Sequence, residues 1–174
     1  MDAEMTDFPH DVFPKIHVVL FEPEIPQNTG NIARTCACTG AELHLVEPMG
    51  FHLTQRNIRR SGMDYWEDVV LHRWGSTQEF LEAHHHDQLI FFTGQTDHSL
   101  YDAPITGEVY LIFGRESRGI DQDILDRYAD QCVRIPMKSN KRSLNLSNSV
   151  AIGVYEVLRA NGFYDLCSCY TDQL

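Results

Sequence analysis

Hydrogen-bonding side chains are concentrated where one helix pattern begins. The segment 140–162, NKRSLNLSNSVAIGVYEVLRANG, starts basic and then alternates leucines with small polar residues, Ser143, Asn145, Ser147, Asn148 and Ser149. Serine and asparagine commonly cap the free N–H groups of a first helical turn. One cap is enough for one helix, so a second use is a mixed pocket, apolar with directed hydrogen bonds, that holds a small organic ligand. The residues alone leave both uses open.

Thiols and imidazoles could ligate a metal, but their spacing favours none. The five cysteines are an odd number in a chain without an export signal, which favours reduced thiols in a cytosol: Cys36, Cys38, Cys132, Cys167 and Cys169. Cys36 and Cys38 are two residues apart in a predicted helix and therefore point to different faces. The triplet His84–His86 lies at a predicted helix-to-loop junction. We expect a cytoplasmic protein without a metal site.

The charge is acidic overall and uneven along the chain. A net charge of −11 argues against a strongly basic nucleic-acid binder. Two windows nevertheless carry only basic charges: Arg56, Arg59 and Arg60 in the first, and Arg134, Lys138, Lys141 and Arg142 in the second. A locally basic face on an acidic protein can still meet a phosphate backbone. Ordinary solvated lysines and arginines explain the same windows equally well.

Strand and helix patterns alternate along a chain of 174 residues, which predicts one α/β domain with a mostly parallel sheet. Strands are predicted at 16–21, 42–47, 68–73, 88–94, 108–114 and 131–137. Helices are predicted at 28–40, 52–60, 76–85 and 121–129, and as a final helix with a Val150, Val154, Val157 and Leu158 stripe that stops near Gly162. Ser76 and Glu79 have the spacing of a capping box. No apolar run is long enough to cross a membrane.

Three polar or glycine-bearing loops follow the late strands. They are TGQTDHS (93–99), GRESRG (114–119) and PMKSNKRSLNLSN (136–148). Parallel sheets bind ligands at loops beyond the carboxyl ends of their strands. Neither a G-x-G-x-x-G loop after the first strand nor a G-x-x-x-x-G-K-S/T loop occurs, so the usual dinucleotide and P-loop sites are disfavoured.

Three segments resemble the motifs of the SPOUT-class RNA ribose 2′-O-methyltransferases: EPEIPQNTGNIARTCACTGAELHLVEPMGF, IFGRESRGI and RIPMKSNKRSLNLSNSVAIGVYE. The resemblance covers about 16–163, between an acidic flexible tail at 1–15 and a second tail at 164–174, and is nearest to the small bacterial subgroup that modifies the tRNA wobble position. It implies a dimeric α/β domain with a C-terminal trefoil knot, S-adenosylmethionine as cofactor and no membrane. The implied substrate is the wobble nucleotide of leucine tRNAs, a cytidine or a 5-carboxymethylaminomethyluridine.

The resemblance also implies a cofactor site. Carried over by position, the cofactor contacts are Phe92, Gly114, Ile135, Ser143 and Leu144, with Gly114 letting the backbone approach the ligand closely. Glu116 is the one carboxylate in these loops. It could balance the charge of the cofactor, or it could only brace the loop. Asn145, Ser147 and Asn148 are expected to brace the last loop and cap the final helix.

The catalytic residue implied by the resemblance is Arg34. Asn28, Asn31 and Arg34 recur every three residues, which predicts one helical face with two amides and a guanidinium that meets the RNA. A guanidinium keeps its proton because its pKa is above about 12. Arg34 therefore fits a bidentate clamp on an RNA phosphate better than a base, with phosphate or water accepting the proton. Arg142 is a further predicted substrate contact, and Tyr155 could contact RNA or the dimer partner.

Two other functions stay open on the sequence. A sibling enzyme could apply the same chemistry to another position of tRNA or to ribosomal RNA. A non-catalytic RNA-binding module is the alternative from another class, and the presence of Arg34 beside an intact last loop speaks against it.

Overall fold

The computed structural model describes residues 15–52, 66–164 and 166. Several predicted features lie outside these residues: the helix at 52–60 beyond its first residue, the Arg56, Arg59 and Arg60 window, Cys167 and Cys169, and nearly all of both tails. The domain boundaries therefore stay a prediction. Within the described part of the chain, no helix combines the length and apolar character needed to cross a bilayer.

Six parallel strands form one sheet. They are β1 (Ile16–Phe21), β2 (Glu42–Val46), β3 (Leu71–Trp74), β4 (Gln88–Phe92), β5 (Val109–Phe113) and β6 (Cys132–Val133), and their order across the sheet is β3-β2-β1-β5-β4-β6. Every ladder between neighbours is parallel. The predicted α/β class with a mostly parallel sheet is confirmed.

Among the described residues, four α-helices cover both faces of the sheet. They are α1 (Pro26–Thr39), α2 (Thr77–Ala83), α3 (Gln122–Arg127) and α4 (Leu146–Ala160). Successive residues of β1 point to opposite faces, so Val18 and Leu20 join the core under α1 and α4, while Val19 and Phe21 join the core under α2 and α3. Two covered faces explain why all six residues of β1 are apolar or buried rather than alternating.

The ends of the helices follow their capping residues. α1 begins two residues before the predicted start because the fixed φ of Pro26 suits a first turn, and it ends where Gly40 takes a left-handed φ of 71°. Ser76 caps α2 by accepting the N–H of Glu79 at 3.1 Å. The other half of the predicted capping box is displaced by one residue, because the Glu79 carboxylate accepts the N–H of Gly75 at 2.7 Å.

The largest departure from the predicted elements is β6, which is two residues long instead of the seven in 131–137. Arg134 continues the pairing only as an isolated bridge to Ser99. Pro136 has no N–H to donate to a ladder, so the chain leaves the sheet here. Its departure carries Ile135 to the edge formed by the carboxyl ends of the strands, where the loops after β1, β4 and β5 also lie.

Candidate functional site

A cavity of about 790 Å³ lies at the carboxyl edge of the sheet. Its walls come from the start of α1, the loops after β4 and β5, and the long segment between β6 and α4. All six predicted cofactor residues line it: Phe92, Gly114, Glu116, Ile135, Ser143 and Leu144. Asn28 and Arg142 line it as well. The fold therefore gathers residues from four distant segments into one site.

The apolar wall of the cavity is built from stacked rings. The Phe92 ring stacks on the Phe113 ring with 4.3 Å between centroids. Gly153 of α4 allows this, because a Cβ there would lie 2.8 Å from the Phe92 ring. Leu144 stands on the opposite side with 38% of its surface exposed. A flat apolar wall beside open backbone suits an aromatic ligand group.

Gly114 is required by its own loop. A Cβ at Gly114 would lie 2.2 Å from the carbonyl carbon of Gly119. The loop closes on itself there, since Arg115 and Gly119 exchange two backbone hydrogen bonds of 3.2 and 2.8 Å. Glycine is therefore needed to close the loop that forms the cavity wall. The expected close approach of its backbone to a ligand stays a prediction.

Glu116 holds the beginning of α1. Its carboxylate accepts the N–H of Glu24 at 2.8 Å, the N–H of Ile25 at 3.2 Å and the side-chain amide of Asn28 at 3.0 Å. Ile25 is the N-cap residue of α1 and offers no side-chain cap. Glu116 therefore supplies, from another loop, the negative group that the first turn of a helix prefers. Loop bracing is thus observed, and a contact to the cofactor charge stays a prediction.

Asn145 and Asn28 join the last loop to α1. The Asn145 side-chain oxygen accepts the N–H groups of Ser147 and Asn148 at 2.9 and 3.4 Å, which caps α4. Its amide nitrogen donates to the Asn28 oxygen at 3.0 Å. The amides and hydroxyls of this segment therefore serve both the helix and the cavity. Asn145 caps α4, and Ser143 lines the cavity.

Arg34 and Asn31 lie farther along α1, outside the cavity lining. Both are exposed, whereas Asn28 is only 6% exposed. Its amide nitrogen donates to Glu116, and its amide oxygen accepts from Asn145. The expected face of two amides and a guanidinium is therefore reduced to Asn31 and Arg34. Tyr155 is 48% exposed on α4 and also lies outside the lining. The substrate contacts of these four residues stay predictions.

The described basic window faces solvent beside the cavity. Lys138, Lys141 and Arg142 are exposed, and Arg142 lies on the rim. Arg118, from the loop after β5, is exposed and lines the cavity together with Arg142. Positive charge thus borders the cavity although the whole chain is acidic.

Comparison with known proteins bears directly on this site. The model of the SpoU rRNA methylase family matches residues 15–155, which include every element that builds the cavity. The chain belongs to the SpoU family. A tRNA (cytidine(34)-2′-O)-methyltransferase from Escherichia coli (strain K12) is 46% identical over 151 residues, 85% of this chain and 95% of the relative.

Solved structures of SpoU-like proteins share the fold. One, described as structural insights into the 2-OH methylation of C/U34 on tRNA, has a TM-score of 0.80 and 41% identity, and the match covers 86% of this chain and 97% of that one. The SpoU methyltransferase AviRb from Streptomyces viridochromogenes, solved with AdoMet, has a TM-score of 0.75 at 22% identity, covering 88% of this chain and 60% of that chain. The second likeness shows the fold alone. The trefoil knot stays a prediction.

Arg115, in the loop after β5, is a site residue that the sequence analysis did not identify. Its Nε donates to the Glu22 carboxylate at 2.8 Å, and its Nη1 donates to the Asp121 carboxylate at 2.8 Å. These hydrogen bonds raise the pKa of Arg115, and the guanidinium lowers the pKa of Asp121. Arg115 thereby ties the loop to the chain leaving β1. Nothing in its spacing from Glu22 could have indicated this pair.

A histidine chain at the opposite edge of the sheet is a second group that the sequence analysis missed. Ligand atoms of His17, Glu42 and His44 lie within 4.8 Å of one another. The Trp74 N–H donates to His44 Nδ1 at 3.0 Å, so the proton of neutral His44 is on Nε2, which lies 2.9 Å from His17 Nδ1. His44 Nε2 therefore donates its proton to His17 Nδ1. This hydrogen bond occupies both nitrogens and opposes metal ligation.

Burial keeps this histidine chain neutral. Desolvation lowers the pKa of His44 to about 2 and also lowers the pKa of His17. His17 Nε2 lies 2.8 Å from the Glu108 carboxylate, which completes the chain. The triplet expected not to bind metal is likewise engaged locally: His84 Nδ1 lies 2.7 Å from the Asp87 carboxylate and His85 Nδ1 lies 2.8 Å from the Glu82 carbonyl.

Proposed function

We propose that this chain is an S-adenosylmethionine-dependent methyltransferase that modifies the ribose 2′-hydroxyl of the wobble nucleotide in tRNA. The observation that carries the proposal is the single cavity lined by Phe92, Gly114, Glu116, Ile135, Ser143 and Leu144. The names of relatives at 40–46% identity support nucleotide 34 as the target. The finer proposal is leucine tRNA, with a cytidine or a 5-carboxymethylaminomethyluridine at that position, and a tRNA substrate implies a cytoplasmic enzyme.

The cavity fits the cofactor chemically. Adenine has apolar faces and hydrogen-bonding edges, and Phe92 and Ile135 offer apolar surface next to the backbone of Gly114 and Ser143. We place the adenosine against this wall. Arg118 and Arg142, exposed on the rim, then meet the RNA that covers the cavity. When bound, the cofactor supplies an electrophilic methyl group on a sulfonium sulfur.

With the cofactor held by the cavity residues, the ribose 2′-oxygen would receive the methyl group and lose its proton. A hydroxyl is a weak nucleophile until its proton leaves. Arg34 cannot accept that proton, because a guanidinium stays protonated in proteins. Its role is to hold the neighbouring phosphate with two parallel donors, so that the 2′-oxygen lies in line with the methyl group. A phosphate oxygen or water takes the proton.

The proposed assembly is an isologous dimer through α1 and α4, which pack on the same face of the sheet. Ile25 and Tyr155 are 42% and 48% exposed and are the large apolar or aromatic side chains that these two helical regions leave open to a partner. Light scattering at micromolar concentration should give twice the 20.0 kDa mass of the chain. A stable monomer would remove this proposal.

Mass-spectrometric mapping of the methylated nucleotide tests the function. The protein, the cofactor and a set of purified tRNAs are incubated, and the RNA is digested and sequenced by mass. We expect one new 2′-O-methyl group, at nucleotide 34 of leucine tRNAs. A methyl group at another position would assign the chain to a sibling enzyme. RNA binding without methyl transfer would assign it to the non-catalytic class.

A further inference from the structure

Two glutamates exchange partners between the start of α1 and the loop after β5. The Glu116 carboxylate accepts the backbone N–H groups of Glu24 and Ile25, at 2.8 and 3.2 Å. In return, the Glu24 carboxylate accepts the backbone N–H and the hydroxyl of Ser117, both at 2.8 Å. We call these four hydrogen bonds the glutamate clasp.

The clasp joins two parts of the site that do different work. Glu116 and Ser117 line the cavity. The other side of the clasp is the residue pair directly before Pro26, where α1 begins, and α1 carries Arg34 two turns later. Any movement of the loop after β5 is therefore transmitted to the start of the helix that holds Arg34.

Charge would oppose this arrangement if the donors were absent. Two carboxylates lie close together, and each is compensated by N–H or O–H groups that point at it. The Ser117 hydroxyl and N–H are the main reason that the pKa of Glu24 is lowered, and Arg115 and Arg118 lower it further. The closed form of the loop thus keeps the two donors of Ser117 on the Glu24 carboxylate.

We propose that Glu24 is a positioning residue that couples occupancy of the cofactor cavity to the placement of Arg34. This inference rests on the proposed function. A cofactor that orders Glu116 and Ser117 fixes the clasp, and the clasp fixes the first turn of α1. RNA then meets Arg34 in its reactive position only when the methyl donor is present.

A role in stability alone is a weaker explanation of the clasp. Glu24 is half-buried and Ser117 is exposed, so neither side chain is part of the apolar cores. The loop is already closed by the bonds between Arg115 and Gly119 and held to β1 by the Arg115 pair with Glu22. Removing the clasp should therefore leave the fold intact.

Glu24→Gln tests the coupling, with Glu79→Gln as the matched control. Glu79 also accepts a backbone N–H, at 2.7 Å, but it lies at the start of α2 on the other face of the sheet. Hydrogen exchange is measured with and without S-adenosylmethionine. In the wild type and in Glu79→Gln, the cofactor should slow exchange in 113–119 and in 29–36, a part of α1 that lies outside the cavity lining. In Glu24→Gln it should slow exchange in 113–119 only.

Turnover gives the second readout. At saturating cofactor and RNA, Glu24→Gln should lose about tenfold or more of its methyl-transfer rate, because small misplacement of reacting groups is costly. Cofactor affinity should fall only a few-fold. Ser117→Ala, a milder change, should show a smaller loss of the same kind, and the double variant should be no worse than Glu24→Gln alone, because both act on one set of bonds.

The outcomes separate this inference from the proposed function. Unchanged protection of 29–36 in Glu24→Gln, with normal turnover, would overturn the coupling whatever the RNA target. A loss confined to the KM for the cofactor would also overturn it, since the clasp would then serve the cavity alone. A wild type that binds the cofactor but methylates no tRNA would refute the proposed function, while the exchange experiment would still decide the coupling.

Discussion

Individual residues in this site stabilise the local structure and also have a predicted role in ligand binding. Gly114 is the clearest case, because its lack of a side chain is needed 2.2 Å from the Gly119 backbone. The same residue lines the cavity. A substitution there changes the cavity by moving the loop, even if the new side chain never touches a ligand.

Gly114→Ala should therefore weaken both stability and cofactor binding. We expect a loss of about 1–3 kcal/mol in the free energy of unfolding, as for overpacked sites, and a lower affinity for S-adenosylmethionine. Urea unfolding and calorimetry measure the two effects. Gly94→Ala is the control for stability, since a Cβ there would lie an ordinary 3.7 Å from the Arg142 carbonyl oxygen. Equal stability of both variants would contradict the steric argument.

Residue types could be predicted from the sequence better than their reasons. The five residues carried over by resemblance, together with Glu116, do line one cavity. The sequence could not indicate that Glu116 caps α1 or that Asn28 turns inward to Asn145, since these pairs are 88 and 117 residues apart. Such partners meet because β1 and β5 are neighbours in the sheet, and local sequence patterns do not predict which strands pair.

Secondary-structure elements were predictable where local chemistry decides them. Gly40 ends α1 and Ser76 caps α2, as the pattern of residues indicates. β6 is shorter than its apolar pattern because pairing beyond Val133 depends on the path of the neighbouring strand after Phe92. The histidine chain was also hidden, because it arises from the register that sets His17 opposite Glu42 and His44 opposite His72.

Asn145 should matter for α4 because it caps the helix and also holds Asn28. Asn145→Ala removes both, and we expect a loss of about 1–2 kcal/mol in the free energy of unfolding, at the upper end of measured caps. Chemical unfolding at neutral pH provides the measurement. Asn140→Ala, in the exposed turn before the loop, should cost far less. If the two variants are equally stable, the cap contributes little.

The histidine chain should make the sheet edge sensitive to acid. The folded pKa of His44 is about 2 and that of His17 is lowered, both mainly through burial. Below about pH 6.5 the unfolded chain binds protons that the folded chain excludes, so stability is full above that pH and falls as pH decreases, by about 1.4 kcal/mol per pH unit for His44, with His17 acting in the same direction.

His44→Gln tests this, because an amide can accept from Trp74 and donate to His17 without titrating. Between about pH 6.5 and 5, the free energy of unfolding of this variant should depend less steeply on pH than that of the wild type, by the equivalent of about one bound proton. His86→Gln, at an exposed position, is the control. The same slope in His44→Gln and the wild type would show that His44 is not held neutral. Restricting the range to pH 5 and above limits the contribution of Glu42, whose pKa is lowered by His72 and Lys15 against the opposing effect of burial.

At the scale of the whole molecule, we propose that two tasks are separated on one edge of the sheet. The loops after β4, β5 and β6 build the cavity, and α1 presents Arg34 to solvent beside it. Arg118 and Arg142 are exposed in the cavity lining, and Lys138 and Lys141 are exposed in the same segment as Arg142, although the chain has a net charge of −11. We therefore expect cofactor binding and RNA positioning to depend on different residues.

Arg34→Ala, assayed for cofactor affinity and for methyl transfer at saturating tRNA, tests this claim most directly. We predict nearly unchanged affinity for S-adenosylmethionine and a loss of at least about a hundredfold in turnover, with little recovery in Arg34→Lys because an ammonium lacks the planar fork. Arg127→Ala, an exposed arginine on α3, should behave as the wild type. Loss of cofactor binding in Arg34→Ala, or near-normal turnover in Arg34→Lys, would contradict the separation of the two tasks and the clamp.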